Sequence, residues 1–327
     1  MDARTEPTLL FHVVRNDAGR TSIWPDYRRE ALPAGWKFEG FSGAQDACLR
    51  HIGQAPAPSA PGPAQSARST PPAPAATSRP PVRATALPFP QPAAPQRLFV
   101  FPHAGSGASY YHFLARELKD IPLEVHILQY PGREMRVREK PVSDMDIMVS
   151  ALGDELRNLL EEKPFHLLGH SMGALLAFEL ARHLRAAGRA LPRHLFLSGR
   201  QPPHLPPQNI QVEALDDRAF LDAVGRRYKA LPAELLAHSE ILELILPSLR
   251  ADFTLMERHR HREAPPLDIP FTLLNGVEDP WVDARRVGEW QQHTRLPLRQ
   301  RTFPGGHFYL PAVAADLRRE IVTAIAA

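Results

Sequence analysis

Gly169-His170-Ser171-Met172-Gly173 sets a hydroxyl between two glycines, after an apolar run from Phe165 and before a stretch of helical period. A serine attacks a carbonyl carbon only when its oxygen is presented and its proton removed. A sharp turn from strand to helix does the presenting. It lifts the side chain above the end of a sheet, and the flanking glycines admit close backbone. The start of the helix aims N–H groups at the charge that develops on the carbonyl oxygen. A chance G-x-S-x-G in an ordinary turn would need neither the strand before it nor the helix after it. Ser171 is therefore the expected nucleophile.

A nucleophile elbow of this kind is followed in chain order by an acid and then a histidine. His293 and His307 are the histidines that come after the plausible acids. His293 falls within a helical stretch, 284–294, and is expected on the surface. His307 follows the last expected strand in Phe303-Pro304-Gly305-Gly306-His307-Phe308, where glycines can fold a loop back over the carboxyl ends of the strands. It is the expected general base. For the acid, Asp279 in Gly276-Val277-Glu278-Asp279-Pro280 follows a strand and can reach the distal nitrogen of His307. Glu278 and Asp283 are rivals, and Asp279 could instead merely cap a helix starting near Pro280. The oxyanion hole should pair the N–H of Met172 with one from the loop Phe101-Pro102-His103-Ala104-Gly105-Ser106-Gly107, where Ala104 is the candidate. His103 and His170 do not fit the chain order, so packing or substrate-side roles are expected of them.

These residues need a frame that brings them to one edge. Short apolar runs at 97–101, 123–129, 165–169, 194–198, 270–275 and 298–303 read as strands. Amphipathic stretches at 144–162, 172–187 and 312–326 read as helices, and Gly188 stands where a C-cap belongs. Alternation of this kind indicates an α/β fold, a mostly parallel sheet covered by helices. Between 201 and 262 the alternation stops, and helical segments at 217–228 and 233–246 follow with no strand between them. That is the position of a helical lid on an α/β-hydrolase.

The 327 residues carry 43% hydrophobic side chains and a formal net charge of +3. The charge is scattered, with no basic block interleaved with aromatics, so nucleic-acid binding finds no support. Cys48 is the one cysteine, which excludes an internal disulfide and suits a reducing compartment. The N-terminus lacks a basic, then long apolar, leader, and no window approaches a membrane span. A cytoplasmic location is expected, with no membrane partner. From about Ala55 to Gln96 the sequence is built from Pro, Ala, Ser and Thr. Proline fixes φ and removes donors, so 55–96 reads as a disordered linker rather than a ligand for a proline-binding module, because its proline spacing is irregular. Fully extended it would reach ~120 Å at ~3.1 Å per residue. It separates a small unit, 1–54, from a large one, 97–327, with the lid at about 201–262.

Several motifs in the large unit agree in order and spacing with one family. FPHAGSGASYY, YPGRE, GHSMGALLAFELA, LSGRQPPHLP, LPSLRADFTLMERHRHR and PGGH together resemble type II thioesterases, the stand-alone editing enzymes of nonribosomal peptide and polyketide synthesis. The resemblance implies hydrolysis of acyl or aminoacyl thioesters on the phosphopantetheine arm of acyl or peptidyl carrier proteins. It implies no cofactor and no metal. Carried over by position, its triad falls on Ser171, Asp279 and His307. A product-releasing thioesterase, a small-ester esterase and a non-catalytic adapter are the alternatives.

The small unit resembles a second family. Phe11-His12-Val13-Val14-Arg15-Asn16, Ser22-Ile23-Trp24-Pro25 and Pro33-Ala34-Gly35-Trp36 are similar to MbtH-like proteins, with Leu49 and Ile52 at the spacing of a closing helix. The implied fold is a small α+β domain. The implied partner is the adenylation domain of a nonribosomal peptide synthetase, held at Ser22, Trp24, Pro25 and Trp36. The residues themselves allow either a core or a clamp for the two tryptophans. Ala18 and Arg20 depart from the family pattern, and the linker replaces the usual tail.

Overall fold

The computed structural model describes residues 11–17, 21–25, 35–43, 48, 51–52, 84–206, 212–228 and 239–325. The chain divides into two compact units, 1–77 and 78–327.

In the small unit, β1 (Phe11–Asn16) pairs antiparallel with β2 (Thr21–Pro25) on one side and β3 (Trp36–Gly43) on the other. Val13, Val14 and Cys48 are buried. Ser22 is exposed on β2, opposite Val14. Trp36 is half-buried at the start of β3, opposite Asn16. The backbone of β2 sets Trp24 opposite His12, while the side chains of Trp24 and Pro25 lie outside the described ones. Ala18, Arg20 and Leu49 lie outside the described residues.

The large unit is an α/β fold around a seven-stranded sheet. Its strands are β4 (Thr85–Ala86), β5 (Gln96–Phe101), β6 (Leu123–Leu128), β7 (Phe165–His170), β8 (Leu195–Ser198), β9 (Phe271–Gly276) and β10 (Arg299–Phe303), in the spatial order β10-β9-β8-β7-β5-β6-β4. All neighbours run parallel except β4, which is antiparallel to β6. Helices cover both faces, which is why the central strands are apolar without alternation. Phe99, Phe101, Leu167, Leu197 and Leu273 point into one core, and Leu98, Val100, Leu168, Phe196 and Leu274 into the other. The two-residue period of a strand makes that division.

The helices are α1 (His112–Glu117), α2 (Met145–Glu155), α3 (Arg157–Glu162), α4 (Met172–Ala186), α5 (Asp217–Tyr228), α6 (Ser239–Arg258) and α7 (Ala314–Ile325). The segment expected as one helix over 144–162 is two, parted at Leu156. Asp144 caps the first by accepting the Ile147 N–H at 3.0 Å. α4 follows Ser171 and is buried along most of its length. Each fully buried Leu or Phe there contributes ~1.5–3 kcal/mol.

Two boundaries differ from the sequence reading. The segment expected to remain linker through Gln96 is packed against the sheet over residues 84–96. Ala84 is buried, its carbonyl accepts the Gln129 N–H at 2.7 Å, and Thr85 pairs with Leu128. Lys163 Nζ donates to the carbonyls of Pro92 and Ala94 at 2.6 and 2.8 Å. Proline is tolerated at a sheet edge because a missing N–H there breaks no ladder. Residues 55–83 of the expected linker lie outside the described residues. In the lid, α6 runs through Pro247 instead of ending at Leu246. A proline inside a helix costs ~3 kcal/mol, and burial of Leu249, Asp252, Phe253, Leu255 and Met256 beyond it holds the helix together. Residues 233–238 of the expected lid helix lie outside the described residues.

Candidate active site

Ser171 stands at the turn from β7 into α4 with φ 56° and ψ −113°, a left-handed conformation that a non-glycine residue adopts only under constraint. The constraint is visible on both sides. A Cβ on Gly169 would lie 2.1 Å from the Gly173 carbonyl oxygen, and one on Gly173 would lie 1.9 Å from that of Phe101. Only glycine lets β5, β7 and the first turn of α4 approach so closely. The Ser171 N–H donates to the Ser198 carbonyl at 2.8 Å, which ties the turn to β8.

His307 lies beyond β10, and its Nδ1 donates to Asp279 Oδ2 at 2.8 Å. With Nδ1 carrying the hydrogen, Nε2 is the free acceptor. That Nε2 is buried with no partner among the described residues, and the ring lines the same two cavities as Ser171. Asp279 also accepts the Trp281 N–H on Oδ1 at 2.9 Å. Among the described residues no helix starts near Pro280, so the two oxygens of one carboxylate serve a turn and the bond to histidine rather than a helix cap. The rival acids are elsewhere: Glu278 is exposed, and Asp283 is exposed with its carboxylate on the Arg285 N–H.

Met172 is the first residue of α4, so its N–H has no acceptor within the helix. In the loop after β5, the His103 N–H donates to the Tyr111 hydroxyl, that of Gly105 to Asp252, and that of Ser106 to the His103 carbonyl. The N–H of Ala104 donates to no described residue, and Ala104 lines a cavity with Ser171.

Two further histidines border the site. His170 is fully buried between the rings of His103 and His307 and shares a 2.9 Å hydrogen bond with the Ser198 hydroxyl, which in turn meets the Tyr309 hydroxyl at 2.8 Å. Burial, with His307 and His103 nearby, pushes its pKa well below the usual value. His103 is lowered to about 3 by burial, His307 and Arg133. Both imidazoles are therefore neutral around His307.

His293 does not lie on the surface, as its helical stretch suggested. It is buried against Trp290 and Phe178, with Nε2 2.9 Å from His204 Nδ1. The loop carrying His204 covers His293, bonding it and Glu289. Burial and the neighbouring His261, His204 and Arg182 lower its pKa to about 4.

The two cavities meet at Ser171 and His307 and differ in character. One, of about 180 Å³, is walled by Val224 and Tyr228 of α5, Ile245, Leu249 and Phe253 of α6, and Phe308. The other, of about 70 Å³, is bordered by Arg200, Gln201, Arg227 and Trp281, with the Arg227 guanidinium 4.2 Å from the Trp281 ring centre. Sequence reasoning assigned no role to Tyr228, whose ring lies 5.4 Å from that of His307, nor to Arg133 and Asp252. The last two lie in YPGRE and LPSLRADFTLMERHRHR, so the signal was present as motif without chemistry. Among the described residues no group of three or more His, Cys, Asp and Glu side chains could hold a metal ion, and no described helix is long and apolar enough to cross a membrane.

Residues 96–326 match the thioesterase domain family. The chain belongs to that family. The thioesterase unit is 36% identical over 222 residues to the gramicidin S biosynthesis protein GrsT of Aneurinibacillus migulanus, covering 67% of this chain and 84% of that one. It is 37% identical over 221 residues to the thioesterase PikA5 of Streptomyces venezuelae, covering 68% and 78%. Among solved structures it is similar to the thioesterase RedJ of the prodiginine pathway in Streptomyces coelicolor, with 35% identity, a TM-score of 0.64 and coverage of 71% and 92%. Residues 1–61 match the MbtH-like protein family. The thioesterase fold with its mostly parallel sheet and the small MbtH-like segment with its antiparallel sheet both agree with the sequence reading.

Proposed function

We propose that this thioesterase hydrolyses acyl or aminoacyl thioesters from the phosphopantetheine arms of carrier proteins in nonribosomal peptide or hybrid polyketide synthesis, in an editing role. Ser171 is the nucleophile, His307 the general base, Asp279 its orienting acid, and the N–H groups of Met172 and Ala104 the oxyanion hole. The observation that carries this reading is a serine at a left-handed turn sharing its cavities with a histidine whose other nitrogen is bonded to a buried carboxylate. The similarity to GrsT, PikA5 and RedJ supports the biosynthetic setting.

His307 Nε2 takes the Ser171 proton as Oγ bonds to the thioester carbon. The charge on the carbonyl oxygen falls on the two N–H groups. The carbon–sulfur bond breaks, and the pantetheine thiol leaves with the proton from His307. Water then attacks the acyl-enzyme, again losing a proton to His307. A carboxylic acid leaves, and Ser171 is restored. Asp279 accepts the Nδ1–H and stabilises the imidazolium that forms in each half. The reaction calls for no cofactor beyond the arm of the partner.

The MbtH-like unit binds the adenylation domain of a synthetase through Ser22, Trp24 and Pro25 of β2 and Trp36 of β3. Its match to the MbtH-like family and the exposure of Ser22 support this. One chain would thus hold the hydrolase at high effective concentration near loaded carriers. We divide the chain into the MbtH-like unit, a Pro/Ala linker and the thioesterase unit, which includes the segment 84–96 before β5.

The test is incubation with carrier proteins loaded with different acyl and aminoacyl groups, with release followed by mass spectrometry beside p-nitrophenyl esters. Release from carriers by the wild type and none by Ser171→Ala is expected. Ester turnover without thioester turnover would reject the proposal.

A further inference from the structure

Asp252 sits in the middle of lid helix α6 and is completely buried. Its carboxylate binds Arg133 at two points, with Nη1 to Oδ2 and Nη2 to Oδ1 both 2.7 Å. Oδ2 also accepts the Gly105 N–H at 2.8 Å. From the same guanidinium, Nη1 reaches the Ser106 carbonyl at 3.2 Å. One buried ion pair therefore holds the two residues that follow Ala104, one by its N–H and one by its carbonyl. Leu249, one turn earlier on α6, closes over the same glycine: a Cβ on Gly105 would lie 2.6 Å from Leu249 Cδ1. Gly105 adopts φ +78°, so the loop bends immediately after Ala104 and lies under the lid.

We infer that Arg133 and Asp252 are a positioning pair, through which the seating of lid helix α6 sets the direction of the Ala104 N–H toward the acyl oxygen. This rests on the oxyanion hole proposed above. The physics follows from the donor geometry. An oxyanion donor stabilises charge only if it is already aimed where the charge will appear, and an ångström of misplacement is costly. The loop is short and glycine-containing, so its aim must come from outside it. The carboxylate that supplies it belongs to the lid. Any displacement of α6 removes the acceptor from Gly105 and strands a buried guanidinium, so hydrolytic competence is tied to a seated lid. A pair serving stability alone would need no bond to the backbone beside Ala104.

The readout is the rate at which a fluorophosphonate labels Ser171 in the full-length chain, together with kcat and KM for a p-nitrophenyl ester. Labelling builds negative charge on the phosphoryl oxygen and needs no natural substrate. For Asp252→Ala we expect labelling and kcat to fall together by ~10–100-fold, with KM within ~2-fold. Labelling as fast as wild type would overturn the inference.

Should Asp252→Ala not fold, two uncharged pairs decide. Arg133→Met with Asp252→Asn keeps an acceptor for the Gly105 N–H, and Arg133→Met with Asp252→Leu does not. Both lose the Arg133 bond to the Ser106 carbonyl and should label more slowly than wild type, the second by a further ~10-fold because it also lacks the acceptor for the Gly105 N–H. Equal rates would overturn the inference. A wild type that is not labelled at all would instead defeat the hydrolase assignment.

Discussion

At Ser171 the backbone holds φ 56° because its neighbours leave no room for a relaxed turn, and this local strain presents the hydroxyl. Gly173→Ala would drive a methyl into the Phe101 carbonyl. The expected result is a loss of ~1–3 kcal/mol in denaturant unfolding, as for other overpacked sites, and a sharp drop in fluorophosphonate labelling. Unchanged labelling would show that the elbow does not depend on that approach. At His307 the decisive bond is the 2.8 Å contact with Asp279. Asp279→Asn keeps the shape but lets the wrong tautomer form, so kcat should fall by ~10³–10⁴-fold with little change in substrate affinity. Steady-state kinetics on a p-nitrophenyl ester will read this. A loss of less than tenfold would return the acid's role to Glu278 or Asp283.

At the scale of elements, the lid helices supply most of the wall of the larger cavity. Leu249 and Ile245 on α6 face Val224 and Tyr228 on α5 across it, so they set the depth available to an acyl chain. Leu249→Ala should move the chain-length optimum of kcat/KM toward longer acyl groups, by about tenfold per added methylene that the new space accepts. Leu249→Phe should move it toward acetyl. A series of p-nitrophenyl esters from acetate to octanoate will show the shift, and an unmoved optimum would place the acyl group in the cavity beside Arg227 and Trp281. The opposite edge of the sheet carries a separate lesson. β4 and the segment before β5 close the β6 edge, so deleting residues 1–95 should lower the melting temperature of the thioesterase unit by more than deleting 1–83. Equal melting temperatures for the two truncations would show that residues 84–95 add nothing to the stability of that edge.

For the whole molecule, several buried histidines make stability depend on pH. Burial, helped by neighbouring cations and imidazoles, lowers His166, His194 and His293 each to about 4, from an ordinary value of 6.5. Unfolded, these imidazoles take a proton as pH falls below 6.5. Folded, they resist until about 4. The unfolded chain thus binds more protons across that window, and stability rises with pH within it. The stabilisation is fully present above pH 6.5 and is lost as pH falls toward 4. Each group contributes on the order of 1 kcal/mol per pH unit. Urea midpoints measured from pH 7.5 to 4.5 should be flat above about 6.5 and fall below it, more gently in His293→Gln. A midpoint that rises on acidification would contradict the burial of these rings.

Ser171, His307 and Asp279 were legible because each sits in a short segment whose own residues encode its local shape: a glycine-flanked elbow, a glycine turn after a strand, a strand-end acid before proline. The strands were legible because burial on both faces leaves runs of apolar residues. Other features depend on segments that meet only on folding. Arg133 and Asp252 lie 119 residues apart, and no local pattern announces a bond between them. The stretch around His293 reads as helical, and nothing local shows that the loop carrying His204 will cover it. The proline-rich segment before β5 has the composition of a linker, yet an open strand edge gave it a partner. Local spacing determines the chemistry a segment can offer, since it depends on neighbours along the chain. Packing across the chain decides which groups are desolvated, aimed and joined.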